Sequence, residues 1–303
     1  LLLVNHLAPG DVTVMTAAVH SLHLANPGMF LTDIETTAPS LWENNPLVTP
    51  MKVIEKKLGV APERVEMHYP LVHQSNQRAV HFMEAYCAHL AHALKVPVPL
   101  MTSKPLIYLS RKEKAWLPRI AELAGKARPY WVINGGVKED FTAKQYPFFQ
   151  EVVDRLQGKI LFIQVGEAHH MHTPLKGALN EIGKTDTRQL IRLIYHSRGV
   201  LSGVSLPMHL AAALEKPAVV LAGGREPRSW NTYPRQVLLS TVGQLDCCRE
   251  GACWKSHVVP LGEDTRGKES LCLEPVPTDP PSGKCMAVIS PEEVAREILR
   301  YES

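Results

Sequence analysis

The 303-residue sequence has no apolar run of about 18 residues, so no membrane-spanning helix is expected. Charge of either sign is never in large excess: the formal net charge is +3 and the basic residues are dispersed, which argues against a nucleic-acid partner. The apolar opening LLLVNHLAPGDVTV has no basic residues ahead of it and is interrupted by Asp11, so it reads as a buried strand and turn, not as a secretory signal. A cytoplasmic location is the resulting expectation, and disulfides are disfavoured there. No GxGxxG follows the first strand and no GxxxxGK[ST] occurs, which excludes a dinucleotide fingerprint and a P-loop. Paired CxxC knuckles are also missing.

What is present is an alternation of buried strands and helices. From Arg128 onward, PYWVING, KILFIQVG, RGVLSGVS and PAVVLAGG read as strands, separated by the helical patterns FFQEVVDRLQG, TRQLIRLIYHS and MHLAAALEK. This order predicts an α/β fold with a parallel sheet covered on both faces. The N-terminal part has the same character more weakly, with a strand at 1–4, helices at 12–25, 81–96 and 111–125, and an unreadable stretch at 38–70. The length favours two Rossmann-like domains around a cleft, divided between about residues 105 and 128. Ligands of such sheets bind where strands end and helices begin, which selects 8–11, 134–136, 165–167, 202–209 and 223–226. Free N–H groups at those helix starts suit phosphate. Asp11 is read as standing just before a helix, where an N-cap role competes with a catalytic one. Gly223 and Gly224 suit either close approach to a ligand or a tight turn. The Glu167 carboxylate suits ribose hydroxyls or solvent. His169, His170 and His172 have no accompanying ligand that would make them a metal site.

DCCREGACWKS, with Cys272 and Cys285 beyond it, supplies the spacing Cys248-x4-Cys253-x18-Cys272-x12-Cys285, with Cys247 adjacent. The intervening segment is rich in proline, glycine and charge and lacks the makings of a core. A structural metal held by four of Cys247, Cys248, Cys253, Cys272 and Cys285 would order it, zinc and iron both suiting tetrahedral sulfur. Free or redox-active thiols and disulfides are the alternatives.

Four stretches carry a resemblance. The opening strand followed by Gly10-Asp11-Val12, DFTAKQYP at 140–147, SLPMHLAAALEKPAVVLAGGREP at 205–227 and the closing CMAVISPEEVAREIL resemble, in this order, glycosyltransferase family 9, the ADP-heptose heptosyltransferases. The cysteines make the chain similar to the branch that modifies autotransporters and binds iron. Where the family has Asp-Ser/Thr-Gly, this chain has Val204-Ser205-Leu206. The resemblance implies a GT-B fold, with an acceptor domain at 1–115 and a nucleotide-sugar domain at 116–303 that includes the cysteine module 246–286 and a closing helix at 291–301. It implies inverting transfer of a sugar, heptose among the candidates, from a nucleotide-sugar, an ADP-sugar being favoured, to a glycan or protein. It casts Asp11 as the base and Lys144 as the phosphate-side lysine. It assigns Gly10, Lys138, Thr142, Glu167, Ser205, Met208, His209, Gly223 and Gly224 to the donor. The alternative is a silent nucleotide-sugar-binding protein whose metal module docks a partner.

Overall fold

A computed structural model describes residues 1–59, 61–125, 128–260 and 270–302. The N-terminal half holds a three-stranded parallel sheet in which β1 (Leu2–Asn5) lies between β2 (Asp33–Thr36) and β3 (Arg64–Glu66). Three helices accompany it: α1 (Pro9–Ala25), α2 (Met51–Leu58) and α3 (Phe82–Leu94). α2 and β3 lie in the stretch where the sequence pattern is unreadable, because both are short and largely exposed. α1 has no polar face and is buried on nearly every side, as an all-round apolar helix must be. Its hydroxyls are satisfied by its own carbonyls, Thr13 to Pro9 O at 2.8 Å and Ser21 to Ala17 O at 2.8 Å.

The segment PLIYLS at 105–110 forms an extended linker. Leu106 N–H donates to Thr16 Oγ1 at 2.8 Å and Met101 N–H to Ser21 Oγ at 3.0 Å, which pins the linker along α1. The single helix expected over 111–125 is two, α4 (Arg111–Lys114) and α5 (Arg119–Ala124). Pro118 stands between them and cannot continue a helix.

The C-terminal half follows the alternation read from the sequence: β4 (Trp131–Asn134), α6 (Phe149–Leu156), β5 (Phe162–Gln164), β6 (Leu179–Asn180), α7 (Thr187–His196), β7 (Gly199–Gly203), α8 (Leu206–Ala213), β8 (Ala218–Gly223), α9 (Arg228–Asn231) and β9 (Gln236–Ser240). The strands pair in parallel in the order β6-β5-β4-β7-β8-β9. This is the doubly wound order, and the winding reverses between β4 and β7. A short antiparallel pair, β10 (Pro275–Val276) and β11 (Ser282–Gly283), leads to α10 (Lys284–Ala287) and the closing helix α11 (Pro291–Leu299). Ser290 caps α11 as expected, accepting from Glu293 N–H at 3.1 Å.

Period-two alternation divides the core. Val132, Val200 and Val220 face α7, α8 and the helices of the N-terminal half beyond them. Trp131, Ile133, Leu201 and Val219 face α6 and α11. α8 is buried from Pro207 to Ala213, between the sheet and α1. The Trp131 indole lies over Gly199 of the neighbouring strand, where a Cβ would meet ring atoms at 2.6–2.8 Å. Gly199→Ala is therefore expected to cost about 1–3 kcal/mol in chemical denaturation, by overpacking. No helix among the described residues is long and apolar enough to cross a membrane.

Candidate active site at the switch point

The crevice between the ends of β4 and β7 is where a doubly wound sheet binds its ligand, and the N-terminus of α1 faces it. The structure corrects the reading of Asp11. α1 begins at Pro9, with Ala8 in the cap position, so Asp11 is the third residue of the helix and not its cap. The Ala8 backbone N–H donates to its carboxylate, half of a capping box, at the positive end of the helix. Burial pushes the Asp11 carboxyl up to about 6; Lys144 and Lys138 oppose the rise, and Glu226 adds to it. α8 starts directly opposite. A Cβ on Gly10 would lie 3.3 Å from His209 Cδ2 and 3.7 Å from the Leu206 backbone nitrogen, so glycine lets the two helix starts approach.

Lys144 ends the 3₁₀ turn Glu139–Lys144 and reaches across the crevice. Its Nζ donates to Val204 O at 3.1 Å and to the Glu226 carboxylate at 3.0 Å. Glu226, on the loop after β8, also accepts from Arg225 and Asn231. The Phe141 ring lies under both cations, 5.5 Å from Lys144 Nζ and 5.2 Å from the Arg225 guanidinium, and Trp254 flanks Arg225 at 5.7 Å. Burial works against the charge on Glu226, but Lys144 and Arg225 outweigh it and hold its carboxyl at about 2. Burial lowers the Lys144 pKa, and Glu226 opposes that.

His209 Nδ1 pairs with Tyr233 Oη at 2.9 Å. Burial, helped by Lys144, depresses the imidazole to about 3, so the ring at the start of α8 is neutral and not a cation. Burial and the Asp11 charge push Tyr69 up to about 12, which keeps a phenol beside the carboxylate. Arg225 and Glu226 fall in the strand-end loop 223–226 that the sequence selects, whereas nothing in the local pattern marks Tyr69 or Tyr233. The usable signal was the Gly-Gly-Arg-Glu step at the end of a buried strand.

The other expected donor residues are divided. Ser205 stands in the cap position of α8 without a capping bond, and its hydroxyl donates to Gly203 O at 3.4 Å. Lys138 is exposed at the start of the 3₁₀ turn. Thr142 is buried, its Oγ1 accepting from Val258 N–H at 3.0 Å, and Met208 is enclosed within α8. Glu167 is exposed on the loop after β5. Gly223 and Gly224 do not open toward the crevice: added Cβ atoms would meet Met286 Sδ at 2.6 Å and Cys248 Sγ at 2.9 Å, so these glycines make room for the cysteine segment. His172 fills the gap between Gly136 and Gly166, where either Cβ would lie 2.0 Å from its ring.

Residues 47–254 match glycosyltransferase family 9 (heptosyltransferase). The chain belongs to glycosyltransferase family 9. No curated protein matches it in sequence. The fold of this family 9 chain is similar to that of E. coli ADP-heptose LPS heptosyltransferase II, with a TM-score of 0.63 at 17% identity over 99% of this chain and 98% of that one. It is also similar to the iron-containing dodecameric glycosyltransferase TibC of enterotoxigenic E. coli, with a TM-score of 0.59 at 16% identity over 99% of this chain and 75% of that one. E. coli heptosyltransferase WaaC with ADP gives 0.54 at 15% identity, over 79% and 92%. The expected GT-B-like α/β fold with parallel sheets therefore stands.

The clustered cysteines lie beside the end of β8. All six cysteines are free thiols, so no disulfide joins them. Cys87 is buried on α3, apart from the rest. The Sγ atoms of Cys272 and Cys285 flank Gly283, and Cys248 packs on Gly224. Among the described residues, however, no three Cys, His, Asp or Glu side chains converge in a group able to hold a metal ion. Burial, with Cys253, Cys272 and Cys248 nearby, pushes the Cys285 thiol up to about 11. Residues 261–269 of the expected module lie outside the described residues. What the segment does is brace the site. Cys253 N–H donates to Gly224 O at 3.1 Å, Trp254 N–H to Arg225 O at 3.0 Å, and Ala143 N–H to Ser256 O at 2.9 Å.

Proposed function

We propose that this family 9 enzyme transfers a sugar, heptose first among the candidates, from an ADP-linked donor to a glycan or protein hydroxyl with inversion. The observation that carries the reading is the meeting of a carboxyl raised to about 6 on α1 with the Lys144 ammonium and the start of α8, at the sheet's switch point. In this reading the acceptor oxygen attacks the anomeric carbon, the bond from that carbon to the diphosphate oxygen breaks, and the acceptor proton passes to Asp11. A base with a pKa near 6 suits that step at neutral pH. Charge grows on the leaving diphosphate, where Lys144 and the N–H groups of α8 stabilise it. The division into 1–115 for the acceptor and 116–303 for the donor belongs to the same proposal. ADP as the nucleotide is supported by the ADP and ADP-heptose complexes of WaaC and TibC.

A panel of ADP, UDP, GDP and CDP with their sugars tests the donor class by thermal shift. Saturation with ADP at about 100 times its Kd should stabilise the chain by about 2.7 kcal/mol. ADP release from ADP-heptose with an acceptor then tests transfer. No shift with any nucleotide sinks the reading. ADP binding without turnover favours the silent binder, which Val204 in place of an aspartate, its carbonyl already taken by Lys144, also supports.

Four of the five clustered thiols are proposed to hold one iron or zinc as a brace, a role supported by the Cys272 and Cys285 sulfurs that flank Gly283 and by the iron in TibC. No step of the transfer runs through it. Elemental analysis of the purified chain should then find about one equivalent of metal, released on exchanging Cys248 and Cys285 for serine. A metal-free, fully folded chain removes this part alone.

A further inference from the structure

The pair formed by Lys144 and Glu226 is costly to bury and its geometry is specific. A lysine ammonium on a four-carbon stem is a mobile point charge with three donors. Here, among the described residues, two of those donors are assigned, to Val204 O at 3.1 Å and to Glu226 at 3.0 Å. Glu226 is 6% exposed and is held in turn by Asn231 and Arg225. Arg225 is locked by its Nε bond to Lys255 O at 2.8 Å and by the Phe141 and Trp254 rings. A chain of contacts thus runs from residues 253–256 through Arg225 and Glu226 to Lys144. The cluster holds two cations, the Glu226 carboxylate and the Asp11 carboxyl, with His209 neutral, and only Lys144 reaches both the crevice and the carboxylate.

We propose that Glu226 is a positioning residue for the donor diphosphate, its carboxylate aiming the Lys144 ammonium at the crevice. This rests on the donor reading above. Glu226 itself touches neither the sugar nor the phosphates; it acts through Lys144. The same contacts give the cysteine segment a function in donor binding, because Lys255 O and Trp254 fix the arginine that fixes the glutamate.

The test is ADP affinity by calorimetry, against pH, for the full chain as wild type, Glu226→Gln, Lys144→Met and the double variant. Glu226→Gln should weaken ADP binding by about tenfold or more at neutral pH, the worth of a charged hydrogen-bond partner. Its remaining affinity should be lost at a lower pH than in the wild type, because burial lowers the Lys144 pKa and the carboxylate no longer opposes it. The groups facing Lys144 are Glu226 and Arg225 from the loop after β8, Asp11 from α1 and His209 from α8, and only the first is changed. The double variant should bind ADP no more weakly than Lys144→Met alone, since Glu226 works through the lysine. Should Glu226→Gln fail to fold, the comparison of Lys144→Met with the double variant, in which both charges leave together, decides. Losses that add in the double variant, or a Glu226→Gln chain with wild-type affinity and pH profile, overturn the proposal. A wild-type chain that binds no ADP overturns the donor reading beneath it, an outcome distinct from either.

Discussion

Asp11→Asn is expected to slow sugar transfer by about 10²–10⁴-fold, the usual contribution of a general base, while ADP still binds. The wild type should show an acidic limb in kcat/KM near pH 6, because the base works only when deprotonated and burial raises its pKa to about that value. In Asp11→Asn that limb should disappear. Stability moves the other way. A carboxyl whose pKa is raised on folding favours the folded state below its unfolded pKa, near 3.9, and that contribution is lost as pH rises through about 6. At pH 8 Asp11 is thus a charge held in an unfavourable place, and its replacement by asparagine should raise stability by about 1–3 kcal/mol. Chemical denaturation at pH 4 and pH 8 measures the difference. Transfer by Asp11→Asn at the wild-type rate would remove the aspartate from the chemistry. A stability that falls on substitution would mean that the carboxylate is a structural cap.

Lys144→Met should weaken ADP binding by about 10²-fold, the scale for losing a buried charged partner of a phosphate. The folded state should tolerate the change, because Glu226 keeps Arg225 and Asn231. Lys144→Arg should not restore binding: the pocket formed by Val204 O, Glu226 and the Phe141 ring fits a compact ammonium and not a planar guanidinium. Calorimetric titration with ADP reads both variants. Wild-type affinity in Lys144→Met would separate the crevice from the phosphates and shift attention to the exposed Lys138.

The C-terminal half was legible because its strands are buried on both faces, so apolar runs such as WVIN and AVVLAG stand out between helices of period 3.6. β2 and β3 were faint because they are short and carry charged residues such as Glu35, Arg64 and Glu66. At the site, Asp11, Lys144 and His209 could be named from the local pattern around them. The start of α1 was misjudged because Pro9 at the first helical position extends the helix back beyond the apolar periodicity. Gly223 and Gly224 resembled a ligand loop, but their neighbours Cys248 and Met286 come from residues 24 or more positions away, which no local pattern records.

By itself the sequence determined the alternation of elements, the parallel sheet of the C-terminal half and the residue types available for transfer chemistry, because propensity and periodicity are local. Tertiary structure alone decided which side chains share the crevice. Glu226 becomes the partner of Lys144, and Asp11 acquires a pKa near 6, only when β4, β7 and β8 align their C-terminal ends beneath α1. Burial and long-range charge set those properties, and both belong to the folded molecule rather than to any segment of it.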